Sequence, residues 1–283
     1  MKKLTKTLRG LLAILRNPYL LNLVLNADEV RRQNVEHLEN GLYSKGLPLL
    51  RLTQLMQRLG RTDLPLVTPF AFLDGGSLPT DIALLRLLAE HLGTEASYFE
   101  IGTWRGESAA AVAPLLKSVH TLCLTDEEMR QLGCSEAYIG LHGFFSKSIA
   151  NITQLKGDSI TYNYAGLNQR FDLIFIDGNH QYDFVKADTE SVFKHLIHDN
   201  TIVVWHDYAH EPESVRYEVF QGILDALTPA QRARLVHVSN TKCAVYLPAS
   251  WGDLKALNME TLENPSVPTI AFNVKLESYP IQH

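Results

Sequence analysis

The 283-residue sequence is poor in cysteine. Its three, Cys123, Cys134 and Cys243, lie far apart and form no Cys-x-x-Cys pair. Neither a disulfide framework nor a thiolate zinc site is therefore indicated, and a reducing cytoplasm is the expected setting. Nothing approaches the roughly 20 consecutive apolar residues of a membrane span. Internal repeats and low-complexity tracts are missing too. Positive charge is not in excess: 26 Lys and Arg face 31 Asp and Glu, a formal net charge of -5, which argues against a nucleic-acid binder that works by neutralising phosphates. There is no Gly-x-Gly-x-x-Gly fingerprint and no Gly-Lys-Ser/Thr phosphate loop.

What the chain does have begins at its amino terminus. Leu4, Leu8, Leu11, Leu12 and Leu15 recur at helical spacing among Lys2, Lys3, Lys6 and Arg9, the pattern of an amphipathic basic helix. Arg9, Arg16 and Pro18 interrupt it too often for a signal-peptide core. Two readings of residues 1–16 stand open: packing on the protein or on a second subunit, and peripheral contact with an anionic membrane surface.

Residues 1–79 read as a helical, loop-containing extension with no strand-rich core, broken at Asn17-Pro18 and Gly46-Leu47-Pro48, with a helix over 52–59. Ser77 or Thr80 would cap the next helix, which carries Ile82, Leu84, Leu85, Leu87 and Leu88. From there strand and helix alternate: strands at 98–101, 120–124, 151–156, 171–176 and 201–205, a helix at 107–116, and another holding Phe184, Ala187, Val192, Leu196 and Ile197. Residues 235–238 and 243–247 read as a closing hairpin. The expected fold is α/β with a mostly parallel sheet, in three parts: 1–79 the extension, 80–248 the sheet domain, 249–283 a weakly patterned tail.

Asp177 and Asp207 each stand just past a short apolar strand. If those strands are parallel neighbours, both acids emerge at the edge where open α/β sheets bind ligands. At the end of the first strand, Gly102 and Gly106 in Glu100-Ile101-Gly102-Thr103-Trp104-Arg105-Gly106-Glu107-Ser108 let backbone turn tightly beside a ligand.

The run Glu100-x-Gly102-x-x-x-Gly106-x-Ser108 resembles the first motif of class I S-adenosylmethionine-dependent methyltransferases, whose fold is a Rossmann-like doubly wound sheet. The resemblance implies that the glycine loop holds the amino-acid end of the cofactor and that Asp126, or Glu127 in a shifted register, binds the ribose hydroxyls. It implies that Asp158, in Gly157-Asp158-Ser159, lies by the adenine. The stretch Asp177-Gly178-Asn179-His180-Gln181-Tyr182, with Asp188 beyond and His206-Asp207-Tyr208 after the fifth strand, is similar to a subgroup that includes O-methyltransferases of sugars and other small molecules. Coverage runs from about residue 80 to 248.

By that resemblance Glu100, Gly102, Gly106, Ser108, Asp126, Asp158 and Asp177 are expected at the cofactor, and His180, His206, Asp177 and Asp207 at the reacting groups. Metal-dependent relatives would use Asp177 and Asp207 to hold Mg2+, which eases deprotonation of a bound hydroxyl. The alternative is metal-free, with His180 or His206 taking the proton of the acceptor. The acceptor implied is a hydroxylated small molecule or glycan rather than a nucleic acid. Two other readings are an NAD-type Rossmann oxidoreductase and a non-catalytic module that recruits partners. Homo-oligomerisation stays open.

Overall fold

In the computed structural model, residues 2–16 and 46–254 are described, apart from positions 72, 74 and 213. The Asn17-Pro18 break and the tail beyond residue 254 lie outside the described residues. In chain order the elements are α1 (Lys2–Arg16), β1 (Leu49–Leu50), α2 (Leu52–Arg58), α3 (Pro79–Leu92), β2 (Ser97–Ile101), α4 (Glu107–Val112), β3 (Ser118–Cys123), α5 (Asp126–Gln131), α6 (Glu136–Leu141), β4 (Ile152–Lys156), β5 (Leu173–Ile176), α7 (Tyr182–His195), β6 (Ile202–Trp205), β7 (Ala209–Glu211), β8 (Ser214–Val215), α8 (Tyr217–Ala226), α9 (Pro229–Arg232), β9 (Leu235–Val238) and β10 (Ala244–Tyr246).

The continuous apolar runs of β5 and β6 are buried on both faces, because side chains of a strand alternate and helices cover the sheet on either side. Leu173 and Phe175 join Leu84, Leu88, Ala109 and Val112 in one core layer. Ile174 and Ile176 join Val185, Val192, Phe220 and Ile223 in the other. The eight-stranded sheet has the order β1-β9-β10-β6-β5-β2-β3-β4. β10 alone runs antiparallel to its neighbours; the remaining pairs are parallel. From β2 the chain adds β3 and β4 on one side, then returns to add β5 and β6 on the other. This is a Rossmann-like, doubly wound sheet with its switch point between β2 and β5, closed by an antiparallel hairpin, as the sequence leads one to expect.

Two expectations are corrected and one is extended. The segment before residue 80, expected to hold no strand-rich core, contributes the two-residue strand Leu49–Leu50, which pairs in parallel with β9, and Leu52, Leu55 and Met56 of α2 are buried in the first core layer. A two-residue strand offers no alternation to read. The face that α7 buries carries Val185, Asp188, Thr189 and Val192 instead of Phe184 and Ala187, because an acid and a threonine take core positions. Neither Ser77 nor Thr80 caps α3; Leu78 holds that position, and the Asp81 carboxylate accepts from its amide at 2.7 Å.

Candidate active site

Hydrogen bonds between neighbouring strands set the level of the site. The Gly102 amide donates to Leu122 O, Asp177 to Ile101 O, His206 to Ile176 O and Gly157 to Cys123 O. The residue after each strand thus hangs from the end of its neighbour, and the four turns share one edge. Gly102 has φ +99, and a Cβ there would lie 1.9 Å from the Asp177 carbonyl oxygen. Glycine is required because the β2 and β5 turns touch. Gly106, at φ +79, similarly leaves room for Ser146 Oγ.

Glu100 and Ser108, expected at the cofactor, lie beneath this loop. The fully buried Glu100 carboxylate accepts from Tyr98 Oη, Ser108 Oγ and Thr121 Oγ1, each at 2.7 Å. Burial pushes the carboxyl up to about 7, with the three hydroxyls opposing the rise. The cluster joins β2, β3 and α4 and braces the loop from within.

Asp126 opens α5 after Thr125, whose hydroxyl accepts from the Glu128 amide and whose own amide donates to the Glu128 carboxylate. Its carboxylate is 55% exposed and 3.4 Å from Lys156 Nζ. It is free to accept from vicinal hydroxyls. Glu127 is more exposed and faces Arg130. Asp158 turns one carboxylate oxygen onto the Ile160 amide at 3.0 Å.

Beside Asp126 stands an aromatic group that the sequence reading missed. Trp104, at φ +41, packs at ring-centroid distances of 4.5 Å on Tyr138 and 5.1 Å on His142. Trp104 Nε1 and both His142 nitrogens are buried without a hydrogen-bond partner. Burial, then Lys156, lowers the basicity of His142. Rings with unused polar atoms beside an open carboxylate suit a nucleoside.

At the β5 and β6 ends the expected acids and histidines converge. His206 is buried, with Nε2 3.0 Å from Asp81 Oδ2 and Nδ1 3.1 Å from Asp177 Oδ1 and 3.2 Å from Asp207 Oδ2. His180 Nε2 lies 3.2 Å from Asp207 Oδ2, and Lys242 Nζ 4.0 Å from Asp207 Oδ1. Burial opposes charge on His206, but Asp177, Asp207 and Asp81 hold its pKa well above the usual histidine range. Burial likewise opposes charge on Asp207, yet His206, His180 and Lys242 hold its carboxyl below the usual carboxylate range. Both His206 nitrogens thus face carboxylates, and neither is turned to solvent. His180 is 36% exposed, with Asp207 behind it.

Asp177 Oδ1, His206 Nδ1 and Asp207 Oδ2 lie within 4.8 Å of one another, close enough to ligate one cation. The fit to Mg2+ is poor, since that ion prefers an all-oxygen set and one of the three donors here is an imidazole nitrogen. Asp81 went unseen in the sequence because its only local signal is that of a capping acid; 125 residues separate it from His206. Asp188 is buried with neither oxygen in a well-formed hydrogen bond. Burial pushes its carboxyl up to about 7, against the nearby Ser159 hydroxyl.

The fold is that of a Rossmann-like α/β protein, with its acids and histidines gathered at the β5 and β6 ends of one sheet edge. A family model described as a methyltransferase domain matches residues 99–208, which contain every expected site residue. A search of curated protein sequences gave no match. Among solved structures, the chain is similar to an O-methyltransferase from Bacillus cereus solved with S-adenosylhomocysteine (19% identity, 69% of this chain and 90% of that one, TM-score 0.42). It is also similar to the N-methyltransferase NodS from Bradyrhizobium japonicum (16% identity, 59% and 92%, TM-score 0.39). A putative methyltransferase from Bacillus halodurans is 17% identical over 44% of this chain, with a TM-score of 0.33, and the match spans about half, 50%, of that protein's length.

Proposed function

We propose that this protein transfers a methyl group from S-adenosylmethionine to a hydroxyl of a small molecule or glycan. The observation that carries the reading is the shared edge. It sets the glycine turn and open Asp126 on one side of the switch point and the His180–Asp207 pair on the other. When bound, the cofactor supplies an electrophilic methyl carbon on a positively charged sulfur.

The chain's own residues do the rest. Gly102 and Gly106 let backbone approach the cofactor, and Asp126 accepts from its ribose hydroxyls. Trp104 and His142 offer ring faces and unused polar atoms beside it. His180 takes the proton of the acceptor hydroxyl as the new oxygen–carbon bond forms and the carbon–sulfur bond breaks. The electron pair of that bond stays on sulfur, leaving S-adenosylhomocysteine and a methyl ether. Asp207, kept ionised, holds the imidazole and stabilises its charge, while the fixed cation of His206 keeps Asp177 and Asp207 in place. Catalysis comes chiefly from alignment of the reacting atoms.

The net charge of -5 favours a small polar acceptor over a nucleic acid. Calorimetry tests the cofactor: saturable binding of S-adenosylhomocysteine, with none of NAD, is expected. The reverse would make the protein an oxidoreductase. Binding without methyl transfer to any of a panel of hydroxylated acceptors would make it a non-catalytic module.

A further inference from the structure

We propose that α1 lays its leucine face on the surface of a bilayer containing anionic phospholipid. Leu8, Leu11, Leu12 and Leu15 are between 53% and 78% exposed. Helical spacing gathers these four and Leu4 in one sector of the helix, whereas Lys2, Lys3, Lys6, Arg9 and Arg16 fall outside it. A solvated helix has no use for a leucine row of this kind; something apolar covers it.

Charge selects the covering partner. Five of the 26 basic residues lie in α1 and none of the 31 acidic ones, which leaves 21 against 31 in the rest of the chain. The positive charge is concentrated on the segment that exposes the leucines. Pairing with α1 of a second copy would bring two sets of five cations together. An anionic lipid surface neutralises the cations and takes the leucines into the acyl boundary. Among the described residues, the other exposed large apolar side chains, Leu66, Leu73, Leu132, Tyr138 and Ile160, stand on separate segments and make no helix-long row for α1 to sit on.

The geometry fits lying on the membrane rather than crossing it. α1 has 15 residues, about 22 Å at a rise of ~1.5 Å per residue. None of the described helices is long and apolar enough to cross a membrane.

Co-sedimentation of the full chain with phosphatidylcholine vesicles, with and without phosphatidylserine, tests the proposal. Binding only to the phosphatidylserine vesicles is expected, weakened by salt and weakened about fivefold for each of Lys3→Gln, Lys6→Gln and Arg9→Gln. The double variant Leu11→Ser, Leu15→Ser should not bind, while its thermal melting stays unchanged because the helix lies outside the two core layers. Absence of binding by the full chain, or equal binding to both vesicle types, overturns the proposal. So does lipid-independent self-association, read by light scattering, that the leucine variant abolishes, since it would give the face to a second copy.

Discussion

Asp81 accepts a hydrogen bond from His206 Nε2 at 3.0 Å, with both side chains shut away from solvent. The same carboxylate accepts from the amides of Leu78 and Lys242, so one acid ties the start of α3 and the hairpin to the turn after β6. His206 is left with Nδ1 for Asp177 and Asp207.

Asp81→Asn should therefore act on both stability and the site. The variant loses a charge-assisted hydrogen bond to His206 while Asp177 and Asp207 still face the ring, and a loss of about 2 kcal/mol is expected in denaturant unfolding. His206 has a raised folded pKa, so its contribution is full below the unfolded value of about 6.5 and fades as pH rises through the folded value. In the variant the fading should begin at lower pH, followed by NMR titration of the ring. An unchanged His206 titration would mean that Asp81 acts only as a helix cap.

Asp188 gives the opposite kind of test. Its carboxyl is raised to about 7, so its stabilising effect is complete below the unfolded value of about 3.9 and is lost as pH rises to 7. Asp188→Asn should be near neutral at pH 4 and stabilising at pH 8 by about 4 kcal/mol. Thermal melts of both proteins at the two pH values measure it; an equal difference at both would show that the carboxyl is not the titrating group.

Gly102→Ala should cost about 2 kcal/mol or more, because the new Cβ meets the Asp177 carbonyl at 1.9 Å in a left-handed backbone. The glycine turn and the Asp177 turn would be forced apart. Calorimetric affinity for S-adenosylhomocysteine should fall with it, and retention of wild-type affinity would remove the turn from the cofactor site.

His180→Ala should lower kcat by about 100-fold or more and leave KM for the cofactor unchanged. Turnover of the unmodified enzyme should persist in chelator, because Asp177, His206 and Asp207 are not the all-oxygen set that Mg2+ prefers. Loss of turnover in chelator, restored by a divalent ion, would instead give those three side chains to a metal.

The sequence made the central strands legible because each is a short, wholly apolar run set between turns, and successive parallel strands leave only one edge for Asp177 and Asp207. The glycine turn was legible for the same reason. What stayed hidden depends on contacts without local pattern. Glu100 reads as a ligand-facing acid, yet three hydroxyls, two of them on neighbouring elements, claim it from below. Leu49 and Leu50 are too short a strand to show a period. The cluster of Trp104, Tyr138 and His142 forms only because the chain between β3 and β4 folds back over the glycine turn, where the Gly143 amide meets the Trp104 carbonyl.

The amides of Gly102, Gly157, Asp177 and His206, each bonded to one of the last two carbonyls of an adjacent strand, make the sheet the ruler of the site. One residue added to or removed from any of these strands would turn its terminal side chain to the opposite face. Loops between the helices can lengthen freely, but the reach between His180 and a substrate is counted in strand residues.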